Sequence, residues 1–185
     1  MTKLLLSLII LLTSILGVSQ TEIDLKLFNM VNQYRLENKL NPLKWDTTLH
    51  KVAINQCEYM SKTGDLSSEQ NENPTTDNNL TKNLKDKFIN NGVYDNLWIG
   101  ESIRVVYEPT KMSVDSICCL ILNDWIKTPE TNQMLLSDLY MNGAISHKKG
   151  DFNKELLGID EFGDLVYSII KCDMEWFSLD VSSGE

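Results

Sequence analysis

Histidines and cysteines, the side chains that most often bind zinc, are few in this sequence. The chain of 185 residues has two histidines, His50 and His147, and four cysteines. A protein zinc site needs cysteines or histidines grouped at short spacing, such as Cys-x-x-Cys, and the sequence contains no such group. We therefore expect no metal site and no bound cofactor.

The cysteines allow two interpretations. They are Cys57, Cys118, Cys119 and Cys172, and in an oxidising compartment four cysteines permit three complete disulfide pairings. Adjacent cysteines such as Cys118 and Cys119 rarely pair with each other, so one interpretation is a bridge from Cys57, or from one of that adjacent pair, to Cys172. The other interpretation is that the thiols are free and buried, and pack as small hydrophobic side chains. The sequence favours neither.

The N-terminus predicts an exported protein. Lys3 gives a short positive segment, residues 4–16 are almost entirely apolar, and Gly17-Val18-Ser19 places small residues at a cleavage site. The apolar run is shorter than the roughly 20 residues that span a bilayer. We expect residues 1–19 to be a cleaved signal peptide. Residues 20–185 then form one domain without a transmembrane segment, secreted to the periplasm or to the extracellular medium.

The charge balance restricts the classes of partner. The formal net charge is −9 at pH 7, and an acidic chain repels the phosphate backbone of nucleic acids. We therefore expect no nucleic-acid partner, and we expect a monomer.

Hydrophobic periodicity and capping residues predict an α+β framework for these groups. Four helices are predicted: from a cap at Thr21 to Asn38, from a cap at Asp46 to Gly64, over 80–91 and over 113–127. Strands are predicted over 97–107, 143–148 and 165–172. A turn-rich segment at 149–163 joins the last two strands. Apolar residues at both parities of the last strand indicate cover on both faces. The order of elements predicts helices on both sides of a mixed sheet.

Six segments resemble, in order, the motifs of one family of secreted domains. They are Phe28–Arg35 with its Val-Asn-x-x-Arg core, Leu43–Leu49, Ala53–Met60, Thr63–Ser68, Ile99–Ile103 and Asn123–Leu136. Together they resemble the CAP superfamily, also called SCP domains, which contains the cysteine-rich secretory, antigen 5 and pathogenesis-related-1-type proteins. Bacterial single-domain members are the best match. The resemblance covers about residues 26–172 and implies a three-layer α-β-α sandwich. Residues 173–185 form a short C-terminal extension beyond it, whose aromatic pair could dock on the body or on a partner.

The resemblance also implies a site. The family's central cavity presents two histidines and an acidic residue, which hold a divalent metal in some members. Glu101 matches the acidic position, Ser68 stands where the first histidine would be and Thr131 where the second would be, whereas His50 and His147 match neither. Neutral hydroxyl groups are weak zinc ligands, and neither serine nor threonine gains a histidine base here. We expect a cavity lined by Ser68, Glu101 and Thr131, with no metal and no catalytic residue.

These observations favour a secreted, non-catalytic domain that binds a ligand or partner. The resemblance implies a lipid or sterol-like ligand in an apolar groove beside the first and fourth helices, or an envelope or extracellular protein. The apolar stripes of those helices are equally explained by core packing. Two alternatives remain: a degenerate hydrolase in which burial raises the pKa of Glu101 and makes it a base, and a purely structural envelope protein stabilised by a disulfide.

Overall fold

The structure, a computed structural model, describes most of the chain after the predicted signal peptide. It covers residues 21–64, 66–68, 70, 83–94, 97–107, 109–159 and 165–183, and side chains are described outside 151–175. The predicted signal peptide and residues 80–82 of the predicted third helix lie outside these residues. None of the helices among them is both long and apolar enough to cross a membrane.

The first two helices begin and end where their capping residues predict. Helix α1 spans Glu22–Glu37, and its capping box joins Thr21 Oγ1 to the Asp24 amide and the Asp24 carboxylate to the Thr21 amide. Helix α2 spans Thr47–Thr63. Asp46 Oδ1 accepts from two amides of its first turn, and Gly64, in the left-handed conformation with φ 72°, ends it. Both predicted helices are confirmed.

Three further helices follow. Helix α3 spans Leu84–Asn90 and is capped by Asn83, whose side chain accepts from the Asp86 amide. After a single 3₁₀ turn at Pro109–Lys111, helix α4 spans Val114–Lys127. Helix α5, Pro129–Leu135, begins with proline at its first position, where the missing N–H costs no intrahelical bond.

Four strands form one mixed sheet in the order β1-β3-β4-β2. They are β1 (Lys44–Trp45), β2 (Ile99–Tyr107), β3 (Asn142–Ile159) and β4 (Leu165–Ser182). Strand β1 runs parallel to β3, whereas β4 runs antiparallel to both of its neighbours. Strand β4 therefore lies between β3 and β2 along the part of its length that pairs with β2.

The predicted ends of the last two strands are wrong. Strand β3 does not stop at Lys148 but continues to Ile159 through the segment predicted as turns, and β4 continues ten residues past Cys172 to Ser182. The register pairs every residue from Asn142 to Ile159 with one of β4. The hydrogen bonds between the two strands satisfy the backbone N–H and C=O groups of this segment. Pairing with β4 therefore outweighs the preference of the local sequence for turns. Trp176 and Phe177, the predicted docking pair, are core residues of β4, 1% and 0% exposed.

The sheet is covered on both faces, which confirms the predicted three-layer α-β-α sandwich. Side chains alternate along β4: Phe177, Leu179 and Val181 join the core formed with α1 and α4. Trp176 faces α2, where it packs with Cys57 and Met60.

Arg35 fixes the chain that enters β3. This side chain is 2% exposed and donates to four backbone carbonyls, those of Asn41 (2.9 Å), Leu135 (2.7 Å), Ser137 (3.0 Å) and Tyr140 (3.1 Å). The planar guanidinium can serve several acceptors at once. It ties α1 to the C-terminal end of α5 and to the loop that follows.

Candidate functional site

Glu101 lies on β2 and points toward α2 and α3, into a buried cluster of polar side chains. Its side chain is fully buried and forms an ion pair with Lys87 of α3, whose side chain is 2% exposed. Charged side chains are almost never so deeply buried unless they are paired. The pair therefore identifies a polar region in the interior between α3 and the sheet.

The ammonium of Lys87 contacts three elements. Besides Glu101 of β2, Lys87 Nζ donates to Gln56 Oε1 of α2 at 2.9 Å and to the Ser68 carbonyl at 3.5 Å. Gln56 Oε1 also accepts from Gln70 Nε2 at 3.0 Å, and Gln56 Nε2 donates to the Ser67 carbonyl at 2.6 Å. These bonds hold the segment after α2 against the helix.

Strand β4 adds a second carboxyl group. Asp180 pairs in register with Glu101 and is fully buried. Burial raises the pKa of Asp180 well above its usual range, and the neighbouring Glu101 carboxylate raises it further while Lys87 opposes both. Ser178 Oγ lies 3.5 Å from Glu101 Oε1 and 3.4 Å from Asp180 Oδ2. The group formed by Lys87, Glu101, Asp180, Gln56, Gln70 and Ser178 is called the Lys87 centre below.

The Lys87 centre is electrically balanced only if Asp180 keeps its proton. One ammonium neutralises one carboxylate, and a second buried carboxylate would carry a large desolvation penalty. Glu101 Oε2 and Asp180 Oδ1 have no hydrogen-bond partner among the described residues. A protonated Asp180 beside an ionised Glu101 gives the centre zero net charge.

The structure brings together two of the three cavity residues expected from the resemblance. Ser68 and Glu101 meet at Lys87, although Ser68 contributes its backbone carbonyl. Thr131 of α5 lies on the other face of β2, where its hydroxyl is 3.1 Å from that of Ser102. Successive side chains of a strand point to opposite faces, so the sheet separates Thr131 from Glu101.

The two histidines meet at a different place, around Asp24 of α1. His147 Nδ1 lies 2.6 Å from Asp24 Oδ1 and 3.2 Å from the Thr21 hydroxyl. His50 Nε2 is 4.0 Å from Asp24 Oδ2 and has no hydrogen-bond partner among the described residues. Burial lowers the pKa of His50, and Asp24 partly opposes this. The arrangement fastens the start of α1 to the sheet.

The Lys87 centre does not fit the divalent metal that the family resemblance implies. Among the side chains that the structure describes, no group of three or more His, Cys, Asp or Glu residues could hold a metal ion. Glu101 Oε1 is already bonded to the Lys87 ammonium, and that positive charge would repel a second cation at the same oxygens.

Of the bridges that the sequence left open, the one from Cys57 to Cys172 is not formed, because Cys57 carries a free thiol. Cys57 Sγ donates to the Ser146 carbonyl at 3.3 Å, and Ser146 pairs with Ser178. Cys172 lies six residues from Ser178 along β4, about 20 Å at the rise of a strand. A disulfide tolerates no more than about 7 Å between Cα atoms. No disulfide joins Cys57, Cys118 and Cys119, the cysteines whose side chains the structure describes.

Sequence reasoning missed Lys87 and Asp180. The signal for Lys87 was its place between Leu84 and Phe88 on the apolar side of a short helix, where a lysine is out of pattern. Asp180 and Ser178 alternate with Phe177, Leu179 and other apolar residues, the period of a strand with one polar face. Because the predicted strand ended at Cys172, that alternation was not used.

A surface groove borders α3 on the side away from Lys87. One cavity of about 310 Å³ is lined mainly by apolar side chains, and an adjoining cavity of about 450 Å³ has more polar walls. The two share Tyr94 and Leu97, and together they are called the α3 groove below. The apolar end is formed by Leu84, Lys85, Phe88, Ile89, Tyr94, Leu97 and Ile99. The polar end includes Lys44, Asp46, Thr48, Asn142 and Ser182.

The groove that the sequence suggested beside α1 and α4 receives no support from the apolar stripes of those helices. Leu27 of α1 and Ile121 of α4 are fully buried, and Ile117 is 3% exposed. They belong to one core cluster together with the sheet. Core packing therefore accounts for the stripes.

Comparisons with known proteins agree with this architecture. The model of the family described as the cysteine-rich secretory protein family, CAP, matches residues 28–138. No curated protein sequence matches the chain.

Two solved structures are similar in fold. One is an extracellular protein containing an SCP domain from Bacillus anthracis, with 19% identity and a TM-score of 0.50 over 84% of this chain. This chain covers only 39% of that protein. The other is an outer surface protein from Borrelia burgdorferi, with 12% identity and a TM-score of 0.52 over 90% of this chain and 97% of that one. At such identities the likeness shows the fold alone. The family match extends over more than half of the sequence, and the chain belongs to the CAP family.

Proposed function

We propose that this protein is an exported, non-catalytic CAP domain that binds a lipid-like amphiphile in the α3 groove. The observation that carries the proposal is that the groove has an apolar end and a polar end, and that Tyr94 and Leu97 line both. An amphiphile has the matching division into a tail and a head group. Pockets of about 300–1,000 Å³ are the usual size for small-molecule ligands.

The walls of the groove support this ligand class. Phe88 forms a buried floor, and Ile89 and Tyr94 line the apolar end while being 39% and 64% exposed. Trp98, next to Leu97, is 68% exposed. Large apolar side chains left exposed close together are typical of binding surfaces. A concave groove favours a small ligand over a flat protein interface, which needs about 800 Å² from each partner.

Catalysis by Glu101 receives less support than binding. A general base must reach a substrate proton, and the Glu101 side chain is fully buried and paired with Lys87. Neither of the cavities that form the α3 groove is lined by Glu101. Export is supported by the N-terminal sequence and by similarity to proteins described as extracellular or outer-surface proteins.

The proposal is tested by ligand binding with variants of the groove. We would titrate the mature protein with oleate and with cholesterol, and follow binding by native mass spectrometry and calorimetry. Ile89→Glu places a charge in the apolar end of the groove. Tyr94→Ala removes a side chain that lines both the apolar end and the polar end. We expect each variant to weaken binding at least about tenfold, the effect of roughly 1.4 kcal/mol.

The matched control is Leu36→Glu, because Leu36 is an exposed apolar residue of α1, 52% exposed, outside the α3 groove. It should bind like the wild type. Binding of neither probe, or binding that Ile89→Glu and Tyr94→Ala leave unchanged, would rule out the groove as an amphiphile site. Capture of a protein partner through these residues would equally contradict a lipid-like ligand.

A further inference from the structure

Three oxygen acceptors from separate elements surround the Lys87 ammonium. They are Glu101 Oε1 of β2, Gln56 Oε1 of α2 and the Ser68 carbonyl. The Ser178 hydroxyl and the Asp180 carboxyl lie next to Glu101. An arrangement of carboxylate, amide and carbonyl oxygens around one positive charge is also the arrangement that hard metal cations select.

We propose that the Lys87 ammonium is a built-in cation that takes the place of a divalent metal at the Lys87 centre. The fold therefore needs no divalent cation, and its oxygen cage becomes a metal site only when the ammonium is removed. This inference concerns the interior of the domain and does not rest on the proposed ligand of the α3 groove.

Among the described residues, helix α3 presents the Lys87 ammonium to the oxygen atoms of this cage. Lys87 is 2% exposed, whereas the neighbouring Lys85 is exposed on the same helix. Phe88, the next residue, is 1% exposed and packs with Leu49 and Val52 of α2. Since Phe88 anchors the helix to α2, the backbone from which the Lys87 side chain extends is held in position.

The chemistry of the donors predicts which cation would replace the ammonium. All the acceptors are oxygen atoms, which suit Mn²⁺, Mg²⁺ or Ca²⁺ better than the softer cations that prefer sulfur and imidazole. The wild-type protein already holds one positive charge there, and a second cation would have to displace it. Chelators should therefore leave the wild-type protein unchanged.

The test compares wild type, Lys87→Ala and the double variant Lys87→Ala/Glu101→Gln. Melting temperature and native mass are recorded with EDTA and with increasing MnCl₂ or CaCl₂. In wild type we expect no shift and no stoichiometric adduct. In Lys87→Ala we expect one bound cation and a rise in Tm of about 5–10 °C when the cation reaches a hundredfold excess over Kd.

The double variant and Lys51→Ala are the controls. Without the Glu101 carboxylate, Lys87→Ala/Glu101→Gln should lose the cation response. Lys51→Ala removes an exposed lysine of α2 that lines neither cavity of the α3 groove, and it should behave as wild type. A stoichiometric cation in wild type that Glu101→Gln abolishes would overturn the proposal. So would a folded Lys87→Ala variant that binds no cation.

The proposal stays testable if Lys87→Ala does not fold in EDTA. The double variant lacks the uncompensated carboxylate, so it should be more stable than Lys87→Ala, and Lys87→Ala should regain its fold when refolded with Mn²⁺ or Ca²⁺. If the double variant is no more stable and neither cation restores folding, Lys87 has no role as a counter-ion and the proposal is wrong.

Discussion

His147 and Asp24 are joined at 2.6 Å between Nδ1 and Oδ1, a contact that binds the first turn of α1 to strand β3. Asp24 also closes the capping box with Thr21 and is 2% exposed. One carboxylate thus serves both the start of the first helix and its attachment to the sheet. The His147 ring is stacked on Phe177, 5.6 Å between ring centroids, which holds the imidazole in place.

Replacing Asp24 should therefore destabilise the protein more than an ordinary helix-cap substitution. Asp24→Ala loses both the cap and the contact with His147, and we expect a loss of about 2–3 kcal/mol in the free energy of unfolding. Asp24→Asn keeps an acceptor for the cap and should lose about half as much. Urea unfolding measures both. Glu22→Ala, an exposed acid in the same turn, is the control, and an equal effect there would contradict the assignment.

Arg35→Lys should be costly although the charge is kept. A lysine ammonium cannot reach the four carbonyls that the guanidinium serves, and buried carbonyls left without a donor destabilise by about 1–3 kcal/mol. We expect a loss of about 2–3 kcal/mol by urea unfolding. Arg104→Lys is the matched control, because Arg104 is 43% exposed and pairs with Asp124; it should cost less than about 1 kcal/mol. Equal losses would show that Arg35 is not a structural clamp.

Asp180 should make the stability fall as the pH rises. Its pKa is raised in the folded protein, so its contribution to stability is fully present below the pKa of an unfolded aspartic acid, about 3.9, and is lost as the pH rises through the folded value. Asp180→Asn has no proton to lose. We expect a flatter dependence of Tm on pH above about pH 4 in the variant. Parallel curves for the two proteins would refute a protonated Asp180.

The cysteines should differ in reactivity. Cys119 is exposed, whereas Cys57 and Cys118 are buried, and burial is the main cause that raises the pKa of Cys57. Because the thiolate is the reactive form, we expect iodoacetamide to modify Cys119 at least about tenfold faster than Cys57 in the native protein. Peptide mapping by mass spectrometry measures each site. Denaturation in guanidinium should equalise the rates, and rapid native labelling of Cys57 would contradict its burial.

Local signals predicted the helices better than the strands. The cap at Asp46 and the glycine at Gly64 act within one turn, so they could be recognised from neighbouring residues alone. The full length of β3 and β4 depends on pairing between residues as distant as Asn142 and Ser182, and no local pattern around 149–163 indicates that partnership.

The candidate site was predictable only in part for a related reason. Glu101 could be placed by its motif, but its neighbours depend on which face of the sheet each element covers. Thr131 follows Trp125 in the expected order and still lies across β2 from Glu101. Lys87 comes from a short helix preceded by a polar segment, and its burial results from the packing of Phe88 against α2.

The position of α3 between the groove and the interior has a thermodynamic consequence. Phe88 lines the groove while the adjacent Lys87 holds the buried ion pair, and the helix that carries them has only seven residues. A ligand that binds against Phe88 resists the unwinding of α3 and thereby makes the ion pair harder to break. Linkage is reciprocal, so a state of α3 in which the ion pair is broken would bind such a ligand more weakly by the same factor.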